Sequence, residues 1–211
     1  MLAAEKPLFK NIDYLLFTHC HPDHFTAHCT EKFLEKNHIK GLFMPDHTNM
    51  KFNSLREKAS SQAEQTWLLD LPLEQKKEIK LTEDISLTVF RTLHIGKRFT
   101  EVNHFCYLFN FNEKKILIVA DSNYDVDYFS RILAGEKIDV FFVIPLYISK
   151  SQGRKVINQA VKPKRLVIYH IPFANEDKNN MRRLVRRNIE RHKNNLPPLD
   201  ILWDELQEIT L

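Results

Sequence analysis

Three histidines and an aspartate lie within six residues near the start of the sequence. The segment reads Thr18-His19-Cys20-His21-Pro22-Asp23-His24-Phe25. His19 and His21 are two residues apart, so on an extended chain their side chains point to the same side. Asp23 and His24 follow a proline, which predicts a turn that aims them at a second point. Imidazole nitrogens suit zinc, and carboxylate oxygens suit zinc, manganese or iron, so the segment predicts ligands for two metal ions.

Strand ends are predicted to bring further ligands to the same place. The apolar run Tyr14–Phe17 predicts a buried strand that ends at the histidine segment. Three later predicted strands each end in a candidate ligand: Ile85–Leu93 at His94, Ile116–Ala120 at Asp121, and Leu166–Tyr169 at His170. Ligands of one metal cluster must converge in space, and this repeated pattern of a strand followed by a ligand is an unlikely coincidence.

The spacing His-x-His-x-Asp-His after an apolar strand resembles the signature of the metallo-β-lactamase superfamily of di-metal hydrolases. Thr92–Gly96 resembles the family's third-histidine segment, and Lys164–His170 resembles its final-histidine segment. Ile118–Ser122 resembles the segment of the bridging carboxylate, with Ala120 where glycine is usual. The resemblance implies His19, His21 and His94 as ligands of a first metal, Asp23, His24 and His170 as ligands of a second, and Asp121 between them. A looser similarity points to the ascorbate-phosphate lactonase-like branch.

Some histidines and one cysteine have competing interpretations. His104 begins the strand after His94 and competes with it for the role of third histidine ligand. His94 is favoured, because Gly96 closely follows it and a strand begins near Val102, as in the family's usual layout. Cys20 lies between two predicted ligands on the opposite side of the strand and is interpreted as a packing residue. Other histidines are predicted to be solvated or in loops: His28, His38, His47 and His192.

The resemblance implies a single domain over residues 1–211 with an α/β (α+β) fold, a four-layer αββα sandwich of the metallo-β-lactamase type. The family normally has several strands before the first motif, whereas only 18 residues precede His19 here. We therefore expect an N-terminally shortened first sheet. Its exposed edge could be covered by a second copy of the chain, because an uncovered apolar edge promotes aggregation.

The chemistry implied by such a site is metal-dependent hydrolysis. Two divalent cations, with zinc favoured over manganese or iron, would lower the pKa of a shared water toward neutrality. Asp23 would orient the resulting hydroxide, and the substrate would be a small anionic ester, lactone or phosphoester. A first alternative is a nuclease or RNA-processing phosphodiesterase, favoured by a basic helix whose cations are Arg182, Arg183, Arg186, Arg187, Arg191 and Lys193. A second is a non-catalytic remnant that acts as a binding protein.

Composition limits the other classes of function. The chain has 211 residues, a net charge of +4 and three cysteines, an odd number that argues against a disulfide framework and fits the cytoplasm. No apolar run is long enough to span a membrane, and no glycine-rich phosphate loop is present. A helical turn is predicted around Lys6–Lys10. Helices are predicted over Thr26–Asn37, with Cys29, Phe33 and Leu34 turned inward, and over Leu55–Trp67, Ser151–Val161 and Met181–Lys193, and a short helix over Tyr128–Leu133.

Overall fold

The structure is a computed structural model that describes residues 11–46 and 52–210. The predicted turn around Lys6–Lys10 and the predicted loop histidine His47 lie outside these residues. Within them, no helix is both long and apolar enough to cross a membrane.

The described chain has strands and helices in alternation at both ends and five successive strands, β3 to β7, in the middle. Its strands are β1 (Tyr14–Leu16), β2 (Ile39–Pro45), β3 (Ala63–Leu69), β4 (Lys76–Lys80), β5 (Ile85–Thr92), β6 (His104–Phe111), β7 (Lys114–Ile118), β8 (Val140–Val143), β9 (Arg165–Ile168) and β10 (Leu199–Ile201). Its α-helices are α1 (Ala27–Leu34), α2 (Asn53–Gln62), α3 (Val126–Ile132), α4 (Pro145–Ser149), α5 (Ser151–Lys155) and α6 (Met181–His192). A π-helical segment, Val156–Val161, continues α5.

The strands form two sheets. The first sheet has the order β1-β2-β3 with all strands parallel. The second has seven strands in the order β10-β9-β8-β7-β6-β5-β4. The pairs β4–β5, β5–β6 and β6–β7 are antiparallel, and the pairs β7–β8, β8–β9 and β9–β10 are parallel. Parallel strands need crossover connections, and the helices between them supply these.

Three separate hydrophobic clusters show that the two sheets lie between outer helices. Along β2, the Leu42 side chain packs in the cluster with residues of α1 and α2, whereas Phe43 faces the second sheet. Along β6, Phe105 faces the first sheet, whereas Cys106 joins the cluster formed with α3 to α6. This alternation follows from the two-residue period of side chains on a strand. The predicted αββα sandwich of the metallo-β-lactamase type is therefore confirmed.

Two details of the predicted first half are wrong. The helix predicted over Leu55–Trp67 ends at Gln62, and Ala63–Leu69 forms β3 instead. The pairing with β2 overrides the polar composition of this segment, because it places Trp67 flat against Phe43, with ring centroids 4.1 Å apart. In α1, Cys29 is exposed rather than inward, because Phe33 and Leu34 occupy the buried face.

The two sheets are tied together directly beside the histidine segment. The Tyr107 hydroxyl on β6 donates to the Phe17 carbonyl at 2.6 Å, and the Phe105 amide donates to the Thr18 carbonyl at 2.8 Å. Both acceptors immediately precede His19. The second sheet therefore fixes where the histidine segment leaves the first.

Candidate metal centre

A tight turn folds the first segment back on itself. The amides of His24 and Phe25 both donate to the His21 carbonyl, at 2.9 and 2.8 Å. The Phe25 side chain is buried in the cluster under α1 and anchors the far side of the turn. As the proline predicted, the chain reverses here and brings Asp23 and His24 back toward His19.

Backbone pairing beyond the strand ends joins His94 to Asp121. His94 forms an isolated antiparallel bridge with Ser122. The Ile95 amide donates to the Asp121 carbonyl at 2.7 Å, and the Asn123 amide donates to the Leu93 carbonyl at 2.8 Å. The two candidate ligands therefore lie on one small, hydrogen-bonded platform rather than on independent loops.

Two residues next to these strand ends have left-handed backbone conformations. His170 follows β9 with φ of 60°, and Ala120 precedes Asp121 with φ of 41°. Such values are unusual for residues other than glycine and cost free energy. Each lets the chain turn sharply so that His170 or Asp121 leaves its strand toward the cluster. Glycine, which is usual at the position of Ala120 in the family it resembles, would adopt this conformation without strain.

All seven predicted ligands come together in two groups. His19, His21 and His94 form one, and Asp23, His24, Asp121 and His170 form the other, with the donor atoms of each group within 4.8 Å of one another. Oδ2 of Asp121 is 3.3 Å from Nε2 of His24, 3.6 Å from that of His94 and 3.9 Å from that of His19. Asp121 therefore lies between the two groups. That these residues bind metal stays a prediction.

The donor atoms fit divalent cations. Nε2 of His19 and of His94 are buried and have no hydrogen-bond partner within the described residues. Nδ1 of His94 donates to the Ile95 carbonyl at 2.7 Å, so its Nε2 carries the free lone pair. Two donors each about 2.1 Å from a tetrahedral ion are about 3.4 Å apart, close to the separations around Asp121. Buried lone pairs without partners are costly, and a cation would satisfy them.

The environment of the site favours a neutral His19 beside an ionised Asp121. Burial lowers the pKa of His19 to about 2, and repulsion from His104 and His24 adds to this effect. Burial would raise the pKa of Asp121, but the neighbouring imidazoles of His24 and His94, whose Nε2 atoms lie 3.3 and 3.6 Å from its Oδ2, hold it well below the usual range. Neutral histidine and ionised aspartate are the protonation states that bind metal ions.

His104 lies behind the first group rather than within it. It is fully buried, and its ring centroid is 5.0 Å from that of His19 and 5.6 Å from that of His94. Its Nδ1 is 2.8 Å from the Thr92 hydroxyl. His94, and not His104, shares a group with His19 and His21.

The remaining candidates are accounted for outside the two groups. Cys20 is half-buried against the cluster under α1, and burial raises the pKa of its thiol to about 12. His28 and His38 are exposed, and His192 is half-buried at the end of α6.

Two arginines of the basic helix α6 make contacts within the fold. Arg182 donates to the carbonyls of Pro172 and Trp203 and pairs with Asp204, and both Arg182 and Arg186 lie over the Trp203 ring. The cations of the predicted basic helix that remain for another role are thus the other basic side chains. Arg183 and Arg187 are exposed on this helix.

Sequence reasoning missed two residues at the rim of the site. Phe99, in the loop after His94, lies against His21 and His94, with ring centroids 5.0 Å away in both cases. The Arg98 guanidinium lies over the Phe99 ring, 4.7 Å from its centroid. The run Lys97-Arg98-Phe99, so close to a candidate ligand, was the signal available in the sequence.

Comparison with known families identifies a match over most of the chain. The sequence model of the family described as "Anti-Pycsar protein Apyc1" matches residues 1–143. No curated protein sequence matches the chain significantly.

Three solved structures of similar fold have low sequence identity to this chain. CmlA, a diiron β-hydroxylase from Streptomyces venezuelae, matches with a TM-score of 0.66 and 14% identity over 91% of this chain and 44% of its own. Unliganded yeast PDE1 matches with a TM-score of 0.60 and 15% identity over 94% of this chain and 68% of its own. Zn²⁺-bound PqqB from Methylobacterium extorquens matches with a TM-score of 0.56 and 13% identity over 92% of this chain and 72% of its own. The chain thus spans less than half the length of CmlA, and these likenesses establish the metallo-β-lactamase fold alone.

Proposed function

The chain belongs to the Anti-Pycsar protein Apyc1 family, and we propose from this premise that it is a metal-dependent phosphodiesterase that opens cyclic nucleotides. The family suggests a cyclic-nucleotide phosphodiesterase role. The phosphodiester is also one of the substrate classes that the metal-ligand pattern predicts. The proposal narrows the predicted anionic ester, lactone or phosphoester to a single class.

One observation carries the proposal: Oδ2 of Asp121 lies within 3.9 Å of histidine nitrogens from both groups. A carboxylate shared in this way suits two cations a few ångströms apart, the arrangement used for in-line displacement at phosphorus. Bound there, two divalent ions would supply Lewis acidity and an activated water. The residues that would hold them are His19, His21, His94, Asp23, His24, His170 and Asp121.

The exposed members of the second group have the placement needed for proton handling. The Asp23 side chain is 62% exposed, with Oδ2 3.7 Å from Nε2 of His170 and 3.6 Å from Nε2 of His24. In the proposed reaction, the water oxygen forms a bond to phosphorus, and one bond from phosphorus to a ribose oxygen breaks. Asp23 orients the attacking water and takes its proton, and the released ribose oxygen gains a proton at the solvent-facing side, where His170 lies.

The buried members hold the geometry. His19 and His94 lie at the bottom of the site with unpartnered Nε2 atoms, while the platform that joins Leu93 to Asn123 fixes Asp121 between them. Rigid placement of this kind is the main contribution a protein makes to phosphoryl transfer.

Metal content and ring opening test the proposal together. Protein purified without added metal should contain about two equivalents of divalent metal, and Asp121→Asn should lower this in both groups. The metal-loaded protein should convert a nucleoside 3′,5′-cyclic phosphate into the monophosphate, measured by chromatography, and chelation should abolish this. Asp125→Asn is a matched control, because the Asp125 carboxylate caps α3 by accepting from the Tyr128 amide. This variant should retain both metals.

Two outcomes would contradict different parts of the proposal. A fully loaded protein that leaves every cyclic nucleotide intact while hydrolysing a lactone would refute the substrate class. A well-folded protein that binds no metal would favour the non-catalytic binding protein instead.

The nuclease alternative predicts salt-sensitive RNA binding that weakens in Arg183→Ala and Arg187→Ala. Zinc as the metal, the cytoplasmic location and a second copy of the chain as partner stay predictions.

A further inference from the structure

The loop after His94 places a cation and an aromatic ring at the rim of the candidate metal centre. Gly96 has φ of 92°, which lets the chain turn away directly after Ile95. The Phe99 amide then donates to the Gly96 carbonyl at 3.0 Å, and the Val102 amide donates to the Phe99 carbonyl at 3.1 Å. These bonds form a short helical turn over Lys97–Phe99. The loop therefore has a defined conformation rather than an extended one.

Phe99 connects this turn to the candidate ligands. Its half-buried ring lies 5.0 Å from both His21 and His94, at interplanar angles of 64° and 65°. Aromatic rings in such edge-to-face contacts restrict one another's orientation. A side chain resting on Phe99 is accordingly held close to the first group of ligands.

Arg98 is that side chain. Its guanidinium lies 4.7 Å from the centre of the Phe99 ring, in a cation–π contact, and the residue is exposed. Across the two described ranges, no carboxylate pairs with it. By contrast, Arg56, Arg131 and Arg165 form ion pairs with Asp46, Glu74 and Asp200. Arg98 thus presents an uncompensated, preoriented guanidinium beside the candidate centre.

We propose that Arg98, seated on Phe99, is the phosphate-binding residue of the site and contacts a non-bridging oxygen of the substrate. A guanidinium binds phosphate oxygens with strong, charge-assisted and often paired hydrogen bonds. This inference rests on the proposed function, and it extends that function by explaining how an anionic phosphodiester is selected over a neutral ester or lactone. Phe99 acts as a positioning residue because it touches the arginine and not the substrate.

Inorganic phosphate binding and substrate discrimination test this assignment. The variants are Arg98→Ala, Arg98→Lys and Phe99→Leu. Arg98→Ala should weaken phosphate binding, measured by calorimetry, at least about tenfold, as expected for loss of a charge-assisted hydrogen bond. It should raise KM for a cyclic nucleotide by a similar factor and leave hydrolysis of a neutral p-nitrophenyl ester unchanged. Arg98→Lys should recover part of the loss, and Phe99→Leu should show a smaller loss because the charge remains.

Two control variants and metal analysis make the result specific. Arg131→Ala removes an exposed arginine that pairs with Glu74 and should change neither phosphate binding nor KM. Lys97→Ala removes the neighbouring exposed charge of the same loop. An equal loss in Lys97→Ala would indicate diffuse attraction and overturn the assignment. The assignment would also be overturned if Arg98→Ala had a reduced metal content, or if it lost as much activity toward the neutral ester as toward the cyclic nucleotide. Either result would show that Arg98 has a structural role.

The phosphate measurement also separates this inference from the proposed function. If the wild type hydrolyses no cyclic nucleotide but Arg98→Ala still weakens phosphate binding, the proposed function fails and the anion site stands. If hydrolysis proceeds and Arg98→Ala binds phosphate as the wild type does, the anion site fails and the function stands.

Discussion

Thr92 and His104 face each other across β5 and β6, and the Thr92 hydroxyl lies 2.8 Å from Nδ1 of His104. The same hydroxyl is 3.5 Å from the Cys106 thiol, so Thr92, His104 and Cys106 form a buried polar cluster between the two strands. This pairing holds His104 within the second sheet, behind His19. Strand register therefore separates His104 from His94, which lies beyond the end of β5.

The two histidines should respond differently to substitution. His94→Ala should lose about one equivalent of metal, because it removes a member of the first group. His104→Asn should retain both metals, because an asparagine can still bond Thr92 while the three grouped histidines stay in place. Metal content by elemental mass spectrometry measures both. Loss of metal in His104→Asn together with full occupancy in His94→Ala would reverse the assignment.

Metal-free protein should lose stability as the pH falls from about 6.5 toward 4. Burial lowers the pKa of His104 to about 3, with repulsion from His94 adding to the effect, whereas an unfolded histidine titrates near 6.5. The unfolded chain thus binds the proton first, and the free energy of unfolding falls by about 1.4 kcal/mol per pH unit for this group. His19 acts in the same direction.

One group opposes this trend without reversing it. Burial would lower the pKa of His94, but the carboxylate of Asp121, 3.6 Å from its Nε2, raises it, so His94 favours the folded state in acid. Urea denaturation in the presence of a chelator at pH 7 and pH 5 measures the balance. Equal stability at the two pH values would show that the buried histidines take up protons in the folded protein.

Ala120→Gly should stabilise the protein. Ala120 has φ of 41°, a conformation that costs an L-residue about 1–2 kcal/mol, and glycine adopts it freely. Part of this gain is offset by the greater freedom of glycine in the unfolded chain, so an increase of about 0.5–1 kcal/mol is expected.

Thermal denaturation compares this change with a matched substitution. Ala160→Gly lies in the π-helical segment, where glycine adds freedom to the unfolded chain and removes a partly buried methyl group. It should destabilise by about 0.5–1 kcal/mol. If both substitutions lower the midpoint equally, the strain at Ala120 is absent.

Arg182→Ala should destabilise the protein more than Arg183→Ala. The Arg182 side chain is 16% exposed and donates to the carbonyls of Pro172 and Trp203. Removing the donor leaves two partly buried acceptors without a partner, which costs about 1–3 kcal/mol. Arg183 is exposed on the same helix, so its substitution should change stability by less than about 0.5 kcal/mol. Urea denaturation of both variants provides the comparison, and equal effects would contradict a structural role for Arg182.

Local sequence was enough to predict much of the fold. The apolar runs that form β1, β7 and β9 are short and continuous, and each is followed closely by a polar side chain of a type that is rare in a hydrophobic core. Such patterns predict the structure well, because burial of the apolar run places the polar residue that follows it at the end of the strand. The polar segment of β3 was predicted wrongly, because its strand conformation depends on pairing with β2, far from it in the sequence.

The sequence by itself determined which residue types were available as ligands and that each would emerge at the end of a strand. Only the tertiary structure decided that Asp121 lies between the two groups, that His104 lies behind them, and that Arg98 rests on Phe99 at the rim. The physical reason is that spacing along a strand fixes the direction of a side chain through local geometry. Distances between strand ends depend instead on sheet register, on the backbone pairing of Leu93 with Asn123, and on the packing between the two sheets.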